Sequence, residues 1–247
     1  MGLQRWPSLL SLVLLTTSLS FAVGTLQDVM ADPVHHLPPT DLSASIPFNP
    51  PNRGAPGRTR DAGSRPLCET PERPFTAISP HVNWGETTAQ RPTFWLYLPY
   101  EAGHVELFLR DEQTQEEVFR HTFEVRAAEG IHPFTLPPGT PPLEPDQLYN
   151  WQLDFVCNPE TGTKFRATGM IVRRRPSEEL VAAIAAAPPR ERAILYAEAG
   201  LWYDALKVVA TLHREFPDDP QFAADWASLL QHPIVDLLDL VDVPILE

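Results

Sequence analysis

Basic residues are scarce in this chain. Its 19 Lys and Arg stand against 32 Asp and Glu, for a net charge of −13 over 247 residues. A protein so acidic repels phosphate backbones and anionic lipid heads, which argues against general nucleic-acid or membrane-surface binding. Cysteine is nearly absent. The two present, Cys68 and Cys157, have no second cysteine or histidine at ligand spacing, so the pair does not read as a metal site, and a catalytic thiol is poorly supported. The eight histidines, at 35, 36, 81, 104, 121, 132, 213 and 232, are scattered without a His-x-Glu or His-x3-His cluster that would set two ligands on one face. No Gly-Lys-Ser/Thr follows the glycines of the N-terminal third, which excludes a Walker-type phosphate loop. Ser64 follows Gly63 but lacks the strand, the elbow and the second glycine of a hydrolase nucleophile. The acids Asp111, Glu112, Glu116 and Glu117 are explained by a solvated turn. No catalytic residue, metal or cofactor is therefore assigned, and the chain is expected not to be an enzyme.

Long apolar runs are also missing, except near the start. Met1 to Pro7 carry one positive charge, Arg5, and Leu9 to Ala22 are apolar with only small polar interruptions. This is the three-part shape of a secretory signal. Ser20 and Ala22 predict cleavage after Ala22, with Gly24 as second choice, giving a signal peptide over 1–22 and a periplasmic or secreted protein of the cell envelope. The competing reading, an uncleaved anchor, is disfavoured because the core is shorter than the ~20 residues a spanning helix needs. No transmembrane helix is expected in the mature chain. Outside the reducing cytosol, Cys68 and Cys157 read most simply as one disulfide, which would add about 4–5 kcal/mol in the chain-entropy account.

Residues 23–66 are proline-rich without hydrophobic periodicity and are expected to form a flexible linker. Its last part, Asn52 to Arg65, sets Arg53, Arg58, Arg60 and Arg65 among glycines. Glycine lets backbone approach a partner and arginine forks suit carboxylates or phosphates, so the strip is a candidate partner or anion contact. The alternative is that its arginines pair with the chain's own excess acids.

Over 67–175 the apolar residues alternate between short turns, as in an antiparallel β-domain. Seven strands are predicted: Phe75–Ser79, Thr93–Leu98, Val105–Arg110, Glu117–Val125, Ile131–Leu136, Leu148–Cys157 and Lys164–Arg173. Leu143, Pro145 and Tyr149 are similar to the tyrosine corner of immunoglobulin/fibronectin-like β-sandwiches, in which the phenol bonds to backbone a few residues upstream. Tyr149, Trp151, Leu153 and Phe155 would then face the core, although alternation leaves other sandwich topologies open. Trp84, Trp95, Tyr97 and Tyr100 could offer sugars an aromatic platform, with Trp84 and Trp95 as the glycan-stacking candidates. Against this, Phe94–Leu98 is apolar on both faces, and such aromatics are usually core.

From 176 to 247 the period lengthens to that of a helix. Ser177 caps a short helix opening on Glu178 and Glu179. Ala193, Tyr196, Gly200, Trp202, Ala205, Val209, Leu212 and Pro217 fall at tetratricopeptide-like offsets, and a third helix is expected over Gln221–Gln231. One such hairpin cannot bury its own apolar face, so this C-terminal helical region is expected to dock on the sandwich or await a partner.

The stretches NRGAPGR, AGSR and Cys68, FWLYLPY (Phe94–Tyr100), Tyr149-Asn-Trp151 with Cys157, and YAEAGLWYDAL (Tyr196–Leu206) together resemble the exported cyanobacterial proteins grouped as domain of unknown function 928. Thr59-Arg60-Asp61 and Pro66 depart from that family's greater glycine content, which weakens the strip as a fixed ligand cradle. The resemblance implies an envelope setting and transfers no catalytic residue. The leading functional expectation is an interaction protein whose partner is another exported or envelope protein. The alternative is binding of polysaccharide or cell-wall glycan through exposed aromatics.

Overall fold

Alternation of β-branched and aromatic residues with polar ones builds the strands between Thr76 and Arg173, and their arrangement is seen in a computed structural model. Residues 41–247 form one compact unit, within which the structure describes 45–51, 58–60, 71–81, 84–126, 128–158 and 160–247. The signal peptide, most of the linker, Cys68, Arg53 and Arg65 lie outside the described residues.

Eight strands in two sheets and four α-helices make up the described fold. The strands are β1 (Thr76–Ala77), β2 (Gly85–Thr87), β3 (Thr93–Leu98), β4 (Ala102–Asp111), β5 (Glu117–Arg126), β6 (Gly130–Thr135), β7 (Leu148–Asn158) and β8 (Thr163–Arg173). Sheet order is β1-β3-β6 in one sheet and β2-β8-β7-β4-β5 in the other. The pairings are antiparallel except for β2 against β8, which run parallel. β2 has no predicted counterpart, because Gly-Glu-Thr carries no apolar alternation and its place is set by the neighbour it joins.

β3 sits between β1 and β6, and all six of its residues are buried, as expected for a strand apolar on both faces. Along β7 the odd positions Tyr149, Trp151, Leu153 and Phe155 are buried in the shared hydrophobic core, and they pair with odd positions of β4 and β8. Trp151 lies opposite Gly169, where an added Cβ would fall 2.2 Å from its Cζ2, so the indole occupies the volume a side chain would take. The Tyr149 hydroxyl accepts a hydrogen bond from the Glu144 backbone N–H at 3.0 Å, the upstream contact expected of this tyrosine.

The helices are α1 (Glu178–Ala186), α2 (Pro189–Glu198), α3 (Trp202–Glu215) and α4 (Pro220–Leu230). The Ser177 hydroxyl caps α1 by accepting from the Leu180 N–H, and Asp219 caps α4. Gly200 turns α2 into α3 at φ +74°, a left-handed conformation in which glycine carries no Cβ penalty. Alanines 193, 197, 205 and 210 are buried at this hairpin. The helices pack on the sheets through Trp202, whose Nε1–H donates to the Ile78 carbonyl at 3.2 Å, and through Tyr203, whose ring meets Phe94 edge-on at 5.5 Å. Asp204 accepts from both the N–H and the hydroxyl of Thr88, pinning the start of α3 beside the end of β2. The C-terminal segment bonds to β6, with the Leu246 N–H donating to the Ile131 carbonyl at 2.8 Å.

One expectation is corrected. Residues 45–51 fall inside the stretch read as flexible linker, yet Ile46 and Phe48 are buried. Phe48 packs edge-on against Trp202 at 5.0 Å, and the Asn49 N–H bonds to the Ala197 carbonyl at 3.0 Å. Two isolated apolar residues give no periodic signal, and their burial depends on a groove formed some 150 residues away.

Candidate functional site

Successive side chains of a strand point to opposite faces, and directly opposed residues on neighbouring strands share a face. The even positions of β4, β7 and β8 therefore form the outer face of the five-stranded sheet. Phe108 pairs with Gln152 and Gln152 with Thr168, while Arg110 pairs with Asn150 and Asn150 with Met170. These two rows of three line a half-open groove of about 230 Å³, closed at one end by Gln115 from the β4–β5 turn.

Two irregularities shape that end. Leu109 pairs with Phe119 but Arg110 with Glu117, so β5 carries one extra residue, Val118, and the ladder bulges beside the groove. Bulges bend a strand and re-aim the side chains next to them. Gln115 holds φ at +61°, an uncommon backbone state for a residue with a side chain, and its N–H bonds to the Asp111 carbonyl at 2.9 Å.

The groove amides are anchored from outside. Asn150 Nδ2 donates to Glu112 Oε2, Gln115 Nε2 to the Glu112 carbonyl at 2.7 Å, and Gln152 Nε2 to Asp154 Oδ2 at 2.9 Å. Asp154 is wholly buried between Lys164 and Arg166, at 2.7 and 2.6 Å. Burial pushes its carboxyl up, but the hydrogen bonds and charges of Arg166 and Lys164 outweigh this and hold it below the usual carboxylate range. On the other side of the groove the Arg120 guanidinium lies 4.4 Å from the Phe108 ring centroid and pairs with Glu117.

Because the folded pKa of Asp154 is depressed, its contribution to stability is complete above the unfolded value of about 3.9 and disappears as pH falls through the folded value. Urea unfolding of the native protein and of Arg166→Gln should thus differ most near neutral pH and converge under acid. A gap that stays constant with pH would contradict this.

The arginine strip reaches the same face. Arg58 forms a bridge with Thr168, its N–H donating to the Thr168 hydroxyl at 3.3 Å, which puts Arg58 at the groove rim with its side chain exposed. Two residues on, Arg60 bridges to Thr76 of the other sheet and its guanidinium pairs with Asp239. Arg60 is thus engaged by one of the chain's own acids, while Arg58 points to solvent.

Of the aromatics considered for sugar stacking, Trp95 and Tyr97 are buried at 3% and 1% exposure and present no face to a ligand. The Tyr97 hydroxyl is used by Glu129, and Tyr100 stacks on Phe155 at 5.0 Å. Trp84 is half-buried. Cys157 lies half-buried at the end of β7 against the core. Among the described residues no group of three or more His, Cys, Asp or Glu could hold a metal ion, and no helix is long and apolar enough to cross a membrane.

Residues 57–245 match the family described as Domain of Unknown Function (DUF928). The chain belongs to that family. The match spans about three quarters of the chain, both sheets and all four helices, so the DUF928 unit joins the β-rich and helical parts in one module. It begins one residue before Arg58, which places the groove-rim arginine inside the DUF928 unit and Arg53 outside it. Comparison with curated proteins finds no match.

The groove residues had no individual signature in the sequence. Their only trace is that the even positions of β7 read Asn150, Gln152 and Asp154, an amide-rich polar face that alternation marks merely as outward.

Proposed function

We propose that this DUF928 protein is an exported, non-enzymatic binding protein of the cell envelope, whose β-rich body displays a helical surface to another exported protein. The observation that carries this reading is α1. After its two acids the helix reads Leu-Val-Ala-Ala-Ile-Ala-Ala, yet none of its residues is buried and Val181 is 51% exposed. A contiguous apolar surface left in water on so acidic a chain favours an interaction site. The apolar run Leu9–Ala22 supports export, and export would let Cys68 and Cys157 close a disulfide that staples the segment before β1 to the end of β7. The Glu144–Tyr149 bond supports an immunoglobulin-like relationship for the two sheets, and the small residues of α2 and α3 support a tetratricopeptide-like hairpin.

The test is a pull-down from periplasmic extract with the native protein and with Val181→Glu, whose exposed position leaves the fold intact. A protein recovered by the native chain should be depleted about tenfold by the variant if it rests on this apolar helix. Identical recoveries, or none from either, would remove the reading.

A further inference from the structure

We propose that the groove on the outer face of the five-stranded sheet is a binding site for a hydroxyl-bearing ligand the size of a single sugar ring, held by Asn150, Gln152, Gln115 and Thr168 beside Phe108 and oriented by Arg110. α1 contributes nothing to this groove, so the inference stands or falls apart from the protein-binding reading.

The donor and acceptor pattern selects the ligand class. Asn150 and Gln152 each spend one amide N–H on Glu112 or Asp154, and Gln115 donates to Glu112, which leaves the groove amides their carbonyl oxygens as acceptors and, on Asn150 and Gln152, one further N–H as a donor. Thr168 accepts from the Arg58 N–H, so its own hydrogen is available to donate. Arg110 is exposed and, among the described residues, its guanidinium has no hydrogen bond or ion pair, adding donors at one end. A cation would be repelled by Arg110, and an anion would leave the amide carbonyl oxygens without a donor. A hydroxyl group both donates and accepts, and it satisfies both kinds of partner. Phe108, 6% exposed with Arg120 over its ring, adds only an apolar edge to the groove wall, against which the C–H groups of a ring can rest.

Size and rigidity point the same way. A groove of about 230 Å³ is smaller than the roughly 300 Å³ at which sites for drug-sized ligands begin, so it takes one ring rather than a chain. Each amide is fixed by a second contact, the groove lies on three hydrogen-bonded strands, and the bulge and the left-handed Gln115 close one end. Such pre-ordering reduces the entropy lost on binding. One ring making a few hydrogen bonds is expected to bind in the range of about 1 mM.

The native protein, ¹⁵N-labelled, is titrated with glucose, galactose and glucuronate, with sodium acetate as a carboxylate lacking hydroxyls. At least one sugar should produce saturable shifts of the Asn150, Gln152 and Thr168 backbone amides. Gln152→Ala and Thr168→Val should each weaken that sugar about tenfold, the loss of a groove hydrogen bond, while Val181→Glu leaves it unchanged. Equal binding of neutral and acidic sugars would direct Arg110 at a hydroxyl, and a glucuronate preference abolished by Arg110→Gln would direct it at the carboxylate; either supports the site. No saturable shift with any sugar, acetate reproducing the shifts by itself, or groove variants binding as the native protein does would overturn it.

Discussion

Asp225→Ala should lower the unfolding free energy by about 3–5 kcal/mol, the cost of stranding a buried charge. Asp225 of α4 receives the Arg190 fork from α2, with Nε at 2.7 Å from Oδ2 and Nη2 at 2.9 Å from Oδ1, and Gln221 adds a third donor at 3.2 Å. The Arg190 and Asp225 side chains are only 10% and 2% exposed, so water cannot replace the lost partner. Removing the carboxylate takes the bidentate counter-charge away from a guanidinium buried in the helical layer. The paired substitution Arg190→Met with Asp225→Leu should recover most of the loss, because burying neither charge also avoids both desolvation costs. Urea denaturation of the three proteins is the measurement. An Asp225→Ala protein within about 1 kcal/mol of the native one, the range of an exposed ion pair, would show that the pair is solvated in practice.

Trp202→Ala carries an expected loss of similar size, about 3–5 kcal/mol, through the cavity it opens. Its indole has no exposed surface, touches Phe48 edge-on, and donates to the Ile78 carbonyl just beyond β1. Three parts of the chain far apart in sequence meet on this one ring. Trp202→Phe keeps much of the volume but leaves the Ile78 carbonyl without its donor, and should cost about 1–3 kcal/mol. Because the helices and sheets share one core, far-ultraviolet and tryptophan signals should move to lower denaturant together in both variants. If the helical signal shifted and the sheet signal did not, the two parts would be independent folding units and the shared core would be incidental.

Much of the fold was legible because it depends on short-range periodicity. The apolar run of β3, the alternation in β4, β7 and β8, the Ser177 cap and the Tyr149 position all depend on residues within about one turn or one strand of each other. The same reasoning could not see that Ile46 and Phe48 would leave the proline-rich segment to cover Trp202, or that Gly85–Thr87 would join β8 in parallel. Both depend on surfaces assembled by distant elements. For the candidate site, alternation marked Asn150, Gln152 and Thr168 as outward and nothing more. Trp95 had two readings, a glycan contact or the core usual for a strand apolar on both faces, and it is buried at 3% exposure.

The arginine strip shows most plainly where local information stops. Its composition indicated a contact with acids or with a partner, and Arg60 takes the first. Arg60 meets Asp239, some 180 residues along the chain, and Arg58 is exposed at the rim of the groove. Composition and period by themselves determined the element types, the core-facing residues of the long strands and the overall acidity, since each is a property of neighbours in sequence. Only the tertiary structure decided which acid neutralises which arginine, which tryptophans see water and which six side chains form a grid. Those outcomes depend on strand register and sheet order, where a shift of one residue would turn every side chain to the opposite face.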